Sequence, residues 1–190
     1  SASLGSDLQV NGSFDHQSGT CNLNGNSLSV MGDFSASGNA MFQGSSSSNL
    51  MIETSGNVDG WISFSAGNQE LDSCSFDFPS SDTITIGSDL MVGSSFDFES
   101  GHVALSSNTT LDANGQVSFG SQGMFVGTSD ANIEIHSSGS ANGELQFGAG
   151  SETIGGLTID ASSNGNVALG SDAGVNGSLD LQNGVLVIND

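Results

Sequence analysis

The chain has 190 residues, among them 21 Asp and Glu, 3 His and neither Lys nor Arg, so its formal charge is −21. Without cationic side chains it cannot displace counterions from a phosphate backbone or dock on an anionic bilayer through basic residues, which sets aside nucleic-acid and membrane-surface binding. Ser, Gly and Asn number 37, 28 and 17, a bias shared with disordered segments. Against disorder stand a hydrophobic fraction of 35%, 11 Phe at regular spacing and a single Pro. No run reaches the ~20 apolar residues of a membrane helix.

From the first residues onward the pattern is apolar–x–apolar, then a Gly, Asn or Ser break, then apolar–x–apolar again. Alternation over such short runs predicts strands with one buried face. Residues 6–25 overlay 26–44, pairing Leu8 with Leu28, Val10 with Val30, Phe14 with Phe34 and Leu23 with Phe42. Two looser units follow, with strand cores Leu50-Met51-Ile52 and Ile62-Ser63-Phe64, then Cys74-Ser75-Phe76 and Ile84-Thr85-Ile86. The opening then returns. Segment 5–23 recurs at 87–105 and again at 170–188, and residues 41–90 align without a gap to 124–173 with 17 identities in 50 positions. The sequence is therefore a tandem super-repeat of about 83 residues, with copies at about 5–86 and 87–169 and a partial third at 170–190.

Each copy divides into four units of roughly 20 residues, a solenoid length. Asn-Gly pairs at 11–12, 24–25, 114–115, 142–143 and 176–177 supply corner residues that tolerate positive φ. The expectation is an all-β protein, one parallel β-solenoid over residues 1–190, in which each coil covers the apolar face of the next. Strands ~4.8 Å apart make such a rod about 40 Å long.

The glycine- and asparagine-punctuated copies GSDLQVNGSF, NSLSVMGDFSASGNAMF and LTIDASSNGNVALGSDAGVNGSLDLQNG resemble β-strand-repeat proteins of bacterial and archaeal cell surfaces. That group includes filamentous-haemagglutinin-like adhesins and repetitive sheath or matrix proteins. The resemblance covers nearly the whole chain and implies an exported, extracellular, mechanical or adhesive part.

Candidate chemistry is sparse. Asp7, Asp89 and Asp172 recur at one repeat position, and Asp15, Asp97 and Asp180 at another. Carboxylates stacked at corners offer hard oxygen ligands, so these six are the calcium candidates, although the GGxGxDxUx nonapeptide is absent. Recurrence argues against catalysis, since an active site is made once, and the expectation is no enzyme and no obligatory cofactor. Cys21 aligns with Val103 and Leu186, and Cys74 with Leu157, so both take inward aliphatic positions in different strand columns. That favours buried free thiols, with a bond between subunits as an alternative. His16, His102 and His136 show no metal-ligand spacing and read as lone surface residues. Trp61, beside inward Ile62 and replaced by Glu144 in the second copy, points outward as a candidate lateral contact.

Neither end of the sequence shows a polar cap: it opens with SASLGSDLQV, in phase with a coil, and closes on GVLVIND. Unpaired strand edges invite another chain. The expected function is a structural subunit that stacks end to end with its own copies into an extracellular filament, sheath or surface layer. The alternative is an adhesin stalk whose faces bind host or carbohydrate ligands.

Overall fold

A computed structural model describes residues 1–189; Asp190, the last residue of the expected solenoid, lies outside the described residues. Nineteen strands and no helix occur among the described residues, and every strand pair is parallel. The chain is a β-solenoid of about eight turns.

Three ladders wall the coil. The first runs from Leu8–Val10 through Ser27–Val30, Asn49–Ile52, Ser73–Phe76, Ser95–Phe98 and Gln116–Phe119, and on through Asn142–Leu145 and Asn166–Leu169 to Val185–Ile188. The second stacks Phe14–His16, Phe34–Ala36, Val58–Ile62, Thr83–Ile86, His102–Leu105 and Met124–Val126. At the N-terminal end the third wall is a three-stranded sheet of Ala2–Ser3, Gly19–Asn22 and Ala40–Gln43. Further along, a third ladder precedes the first in each coil, through Leu90–Val92, Thr110–Ala113, Asn132–Ile135, Gly156–Ile159 and Ser178–Leu181.

Inward positions of all three walls merge into one core. Leu28, Val30, Leu50, Ile52, Phe76, Phe98, Val103, Ile135 and Ile159 have no exposed surface. Phenylalanines meet from coil to coil, Phe14 stacked on Phe34 with ring centres 5.7 Å apart and Phe98 edge-on to Phe125 at 5.0 Å. These are spacings at which ring pairs attract beyond their area burial. Corners use backbone freedom and close approach. Gly143 has φ +74°, and a Cβ there would meet the Phe119 carbonyl oxygen at 1.7 Å; Gly32 has an ordinary φ, but its Cβ would lie 2.0 Å from the Gly12 oxygen. Of the seven Asn-Gly pairs in the sequence, those at 24–25, 114–115, 142–143 and 183–184 carry a glycine of positive φ.

Coil length departs from uniformity in a way that reorganises the repeat. Successive first-ladder steps are Leu8 to Leu28, Leu28 to Leu50, Leu50 to Cys74 and Cys74 to Phe96, between 20 and 24 residues each. Four coils thus reach Phe96, whereas one sequence repeat reaches only Leu90. Each copy is wound one wall earlier than the last. Phe14 sits in the second ladder, its equivalent Phe96 in the first and its equivalent Leu179 in the third.

Candidate functional site

This winding decides the fate of the six candidate aspartates. Asp15 pairs in register with Ser35, Asp97 with Ser75 and Ser118, and Asp180 with Thr158, so these repeat-equivalent residues face outward from three different walls. The expected stack of aspartates is not formed. Asp7 and Asp89 instead bind backbone: the amide of Ser27 donates to Asp7 Oδ1 at 2.8 Å and that of Thr110 to Asp89 Oδ1 at 2.9 Å. Each caps the start of a strand one coil above, a local role that survives the change of wall. Asp172 sits at a corner, where its own backbone carbonyl accepts from Ser171.

Asp97 belongs to a carboxylate group with Glu99 and Asp77. Asp97 Oδ1 is buried with no donor aimed at it. Glu99 is pushed above its ordinary range, chiefly by its hydrogen bond with Asp97, then by burial and by the charge of Asp97, against a smaller lowering from the Ser118 hydroxyl and a further push from Asp77. Two carboxyls this close disfavour ionising together, so Glu99 takes up a proton more readily than an isolated glutamate.

Cys21 and Cys74 are free and buried, in the third-wall sheet and the first ladder respectively. Burial raises both thiols, Cys74 far beyond the usual thiol range. Cys74 packs in register between Leu50 and Phe96, so a bond from it to another subunit would require opening the coil. Cys21 is close to the surface of the N-terminal face, in a depression it shares with Leu4, Leu8 and Phe14.

Trp61 points outward from the second ladder and is 41% exposed. It lies in a polar groove with Gln17, Ser35, Asp59, Thr83 and Thr85. Gly87 clears the space it occupies, since a Cβ there would stand 2.7 Å from the indole.

The grouping that sequence spacing missed surrounds His136. In the third ladder Asp112 pairs directly with Glu134, and His136 follows two residues later on the same outward face. His136 Nε2 is 3.7 Å from Asp112 Oδ1 and 3.6 Å from Glu134 Oε2, and Nδ1 is 3.7 Å from Asp160 Oδ2. His136 is therefore not a lone surface histidine. Asp112 is held above the ordinary carboxylate range, first by burial and then by the charge of Glu134, against lowering by His136 and by Asn114, whose Nδ2 donates to Asp112 Oδ1 at 2.9 Å. The signal was present in the sequence: Asp-x-Asn at 112–114 and Glu-x-His at 134–136 stand one coil apart in the same strand phase.

No family model matches the chain, and no curated protein or solved structure matches it either.

Proposed function

We propose that this chain is a structural, non-catalytic solenoid of an extracellular filament, sheath or surface layer, extended by stacking coil on coil. The observation that supports the reading is the first ladder, which runs in one direction from Leu8–Val10 to Val185–Ile188. Because all its strands are parallel, the free edge of the last strand is complementary in direction to the free edge of the first. Apolar side chains are uncovered at both edges. Leu8 is 41% exposed and Ile188, in register with covered Leu169, is 72% exposed, whereas Leu28 in the same ladder as Leu8 is wholly buried. Leu179 and Leu181 at the end of the third ladder are half exposed, while Leu157 and Ile159 beneath them are covered. A head-to-tail contact of this kind is heterologous and propagates. With no Lys or Arg, lateral packing must screen a uniformly acidic surface.

Negative-stain electron microscopy over a concentration series tests this reading. Filaments or tubes that lengthen with concentration are expected; dispersed rods of about 40 Å at every concentration would overturn it.

A second reading, a binding module, is favoured by the Trp61 groove, where an exposed indole stands beside Asp59, Gln17 and two threonines. Trp61 is the only Trp in the chain, so intrinsic fluorescence reports on this groove alone. Saturable quenching or a blue shift on titration with oligosaccharides would move the assignment to an adhesin.

A further inference from the structure

The carboxylate and imidazole groups on the third ladder form an arrangement that the assembly reading does not use. Asp112 reaches out from one coil, Glu134 and His136 from the next, and Asp160 from the one after. One ligand atom from each of Asp112, Glu134 and His136 lies within 4.8 Å of the others. The 3.6–3.7 Å separations between His136 Nε2 and the two carboxylates are too long for hydrogen bonds. They are close to the edge of a tetrahedron whose corners stand about 2.1 Å from a central ion, roughly 3.4 Å. The second imidazole nitrogen faces Asp160 Oδ2 at 3.7 Å, also beyond hydrogen-bond range, so this carboxylate stands where a small closure on metal binding would let it orient the ring and its tautomer. The chain contains no Lys or Arg to neutralise these carboxylates.

We propose that Asp112, Glu134 and His136 bind one divalent transition ion of the Zn2+ class, with His136 coordinating through Nε2 and Asp160 orienting the ring from Nδ1. The donor set selects the ion. An imidazole nitrogen with two carboxylates suits Zn2+ and its neighbours, whereas Ca2+ takes oxygen ligands alone and in larger number. The four side chains are between 26% and 38% exposed, which leaves one coordination position to water or to an incoming ligand. Because its ligands come from two successive coils, the ion staples the stack along its axis and removes repulsion between Asp112 and Glu134. The site is independent of whether chains stack end to end.

The test is calorimetric titration of the whole chain with ZnCl2 in excess Ca2+ and Mg2+, beside NMR of its three imidazoles. One Zn2+ per chain is expected, retained in millimolar Ca2+, with His136 alone among the histidines shifted. His136→Gln and Asp112→Asn should each weaken binding by about tenfold or more, and Asp160→Asn should weaken it while leaving one site. His102→Gln, on the second ladder, should leave binding unchanged. Circular dichroism of each variant separates loss of ligand from loss of fold, and the wild-type NMR result stands without any variant. Several weak ions per chain displaced equally by Ca2+, or unchanged binding in His136→Gln, would overturn the proposal. So would Co2+ loading that gives a thiolate charge-transfer band, since it would move the metal to Cys21 or Cys74.

Discussion

Leu8 and Leu28 are the same residue type in adjacent strands of the same ladder, paired in register, yet Leu8 is 41% exposed and Leu28 is completely buried. Truncating Leu28 to Ala removes a side chain enclosed on all sides and leaves a cavity, which costs about 2–5 kcal/mol. Leu8→Ala in the dispersed chain forfeits only the part of the side chain already covered. At about 1.5–3 kcal/mol for a fully buried Leu, that part amounts to roughly 1–2 kcal/mol with little cavity term. If copies stack, the uncovered 41% of Leu8 becomes buried against the Val185–Ile188 edge of the next chain, adding roughly 1 kcal/mol per contact. Leu8→Ala should therefore raise the critical concentration for filament growth about fivefold, while Leu28→Ala lowers the denaturation midpoint of the dispersed chain far more. Pelleting measures the first quantity and urea denaturation followed by circular dichroism the second. Equal losses for the two variants in the dispersed chain would refute the burial argument, and an unchanged critical concentration for Leu8→Ala would refute contact through this face.

Glu99 is pushed up in the folded state, so between its unfolded and folded titrations the native chain binds the extra proton, and stability falls as pH rises through that window. Glu99→Gln, which donates without ionising, should raise the thermal midpoint at pH 7 and lose that advantage in acid below the ordinary Glu range. Gly143→Ala should destabilise by about 2–4 kcal/mol, since it places a side chain at positive φ against the Phe119 carbonyl. Gly139→Ala, with nothing within 4 Å of the added Cβ, should stay within about 0.5 kcal/mol of the parent in the same denaturation assay. Cys74 should resist a maleimide until the chain is unfolded, with Cys21 reacting first as the N-terminal coil frays; mass spectrometry of time points reads the order.

The coil was legible because burial imposes a period of two within each strand and a near-constant return from coil to coil. Pairings such as Leu8 with Leu28 and Phe14 with Phe34 follow from sequence overlay alone and hold in the backbone register. The walls were less legible. Sequence similarity aligns Phe14 with Phe96, but corner insertions of a few residues, as between Leu50 and Cys74, consume coil length without altering the strand pattern. The accumulated excess moves the second copy to another wall. The His136 cluster escaped for a related reason: its ligands are neighbours across coils, and a search for ligand spacing along the chain sees only Glu134 and His136.

The mismatch between repeat and coil has a physical consequence for an acidic rod. Had the 83-residue copy equalled four coils, Asp15, Asp97 and Asp180 would project from one wall, concentrating charge along one stripe. Winding each copy one wall earlier distributes them over the second, first and third ladders, where each is flanked in register by Ser or Thr. On one wall these three would still stand four coils, about 19 Å, apart, where screening removes most of their repulsion; the cost falls on carboxylates in neighbouring coils, which repel by about 1 kcal/mol even in bulk water and by several at the lower effective dielectric of a protein surface. A chain with no basic side chain can relieve that repulsion only by distance, by shared protons or by bound cations. Ser and Thr beside Asp15, Asp97 and Asp180 in the neighbouring coils supply the first, the readier protonation of Glu99 the second, and the surroundings of His136, where Asp112 and Glu134 do stack directly, are the place where a cation would supply the third. An aspartate inserted beside Asp97 at Ser118→Asp should test this logic. It should lower the thermal midpoint at low ionic strength, and most of the loss should be recovered in 1 M NaCl, where the screening length is about 3 Å. A loss that salt does not recover would assign the cost to packing instead of charge.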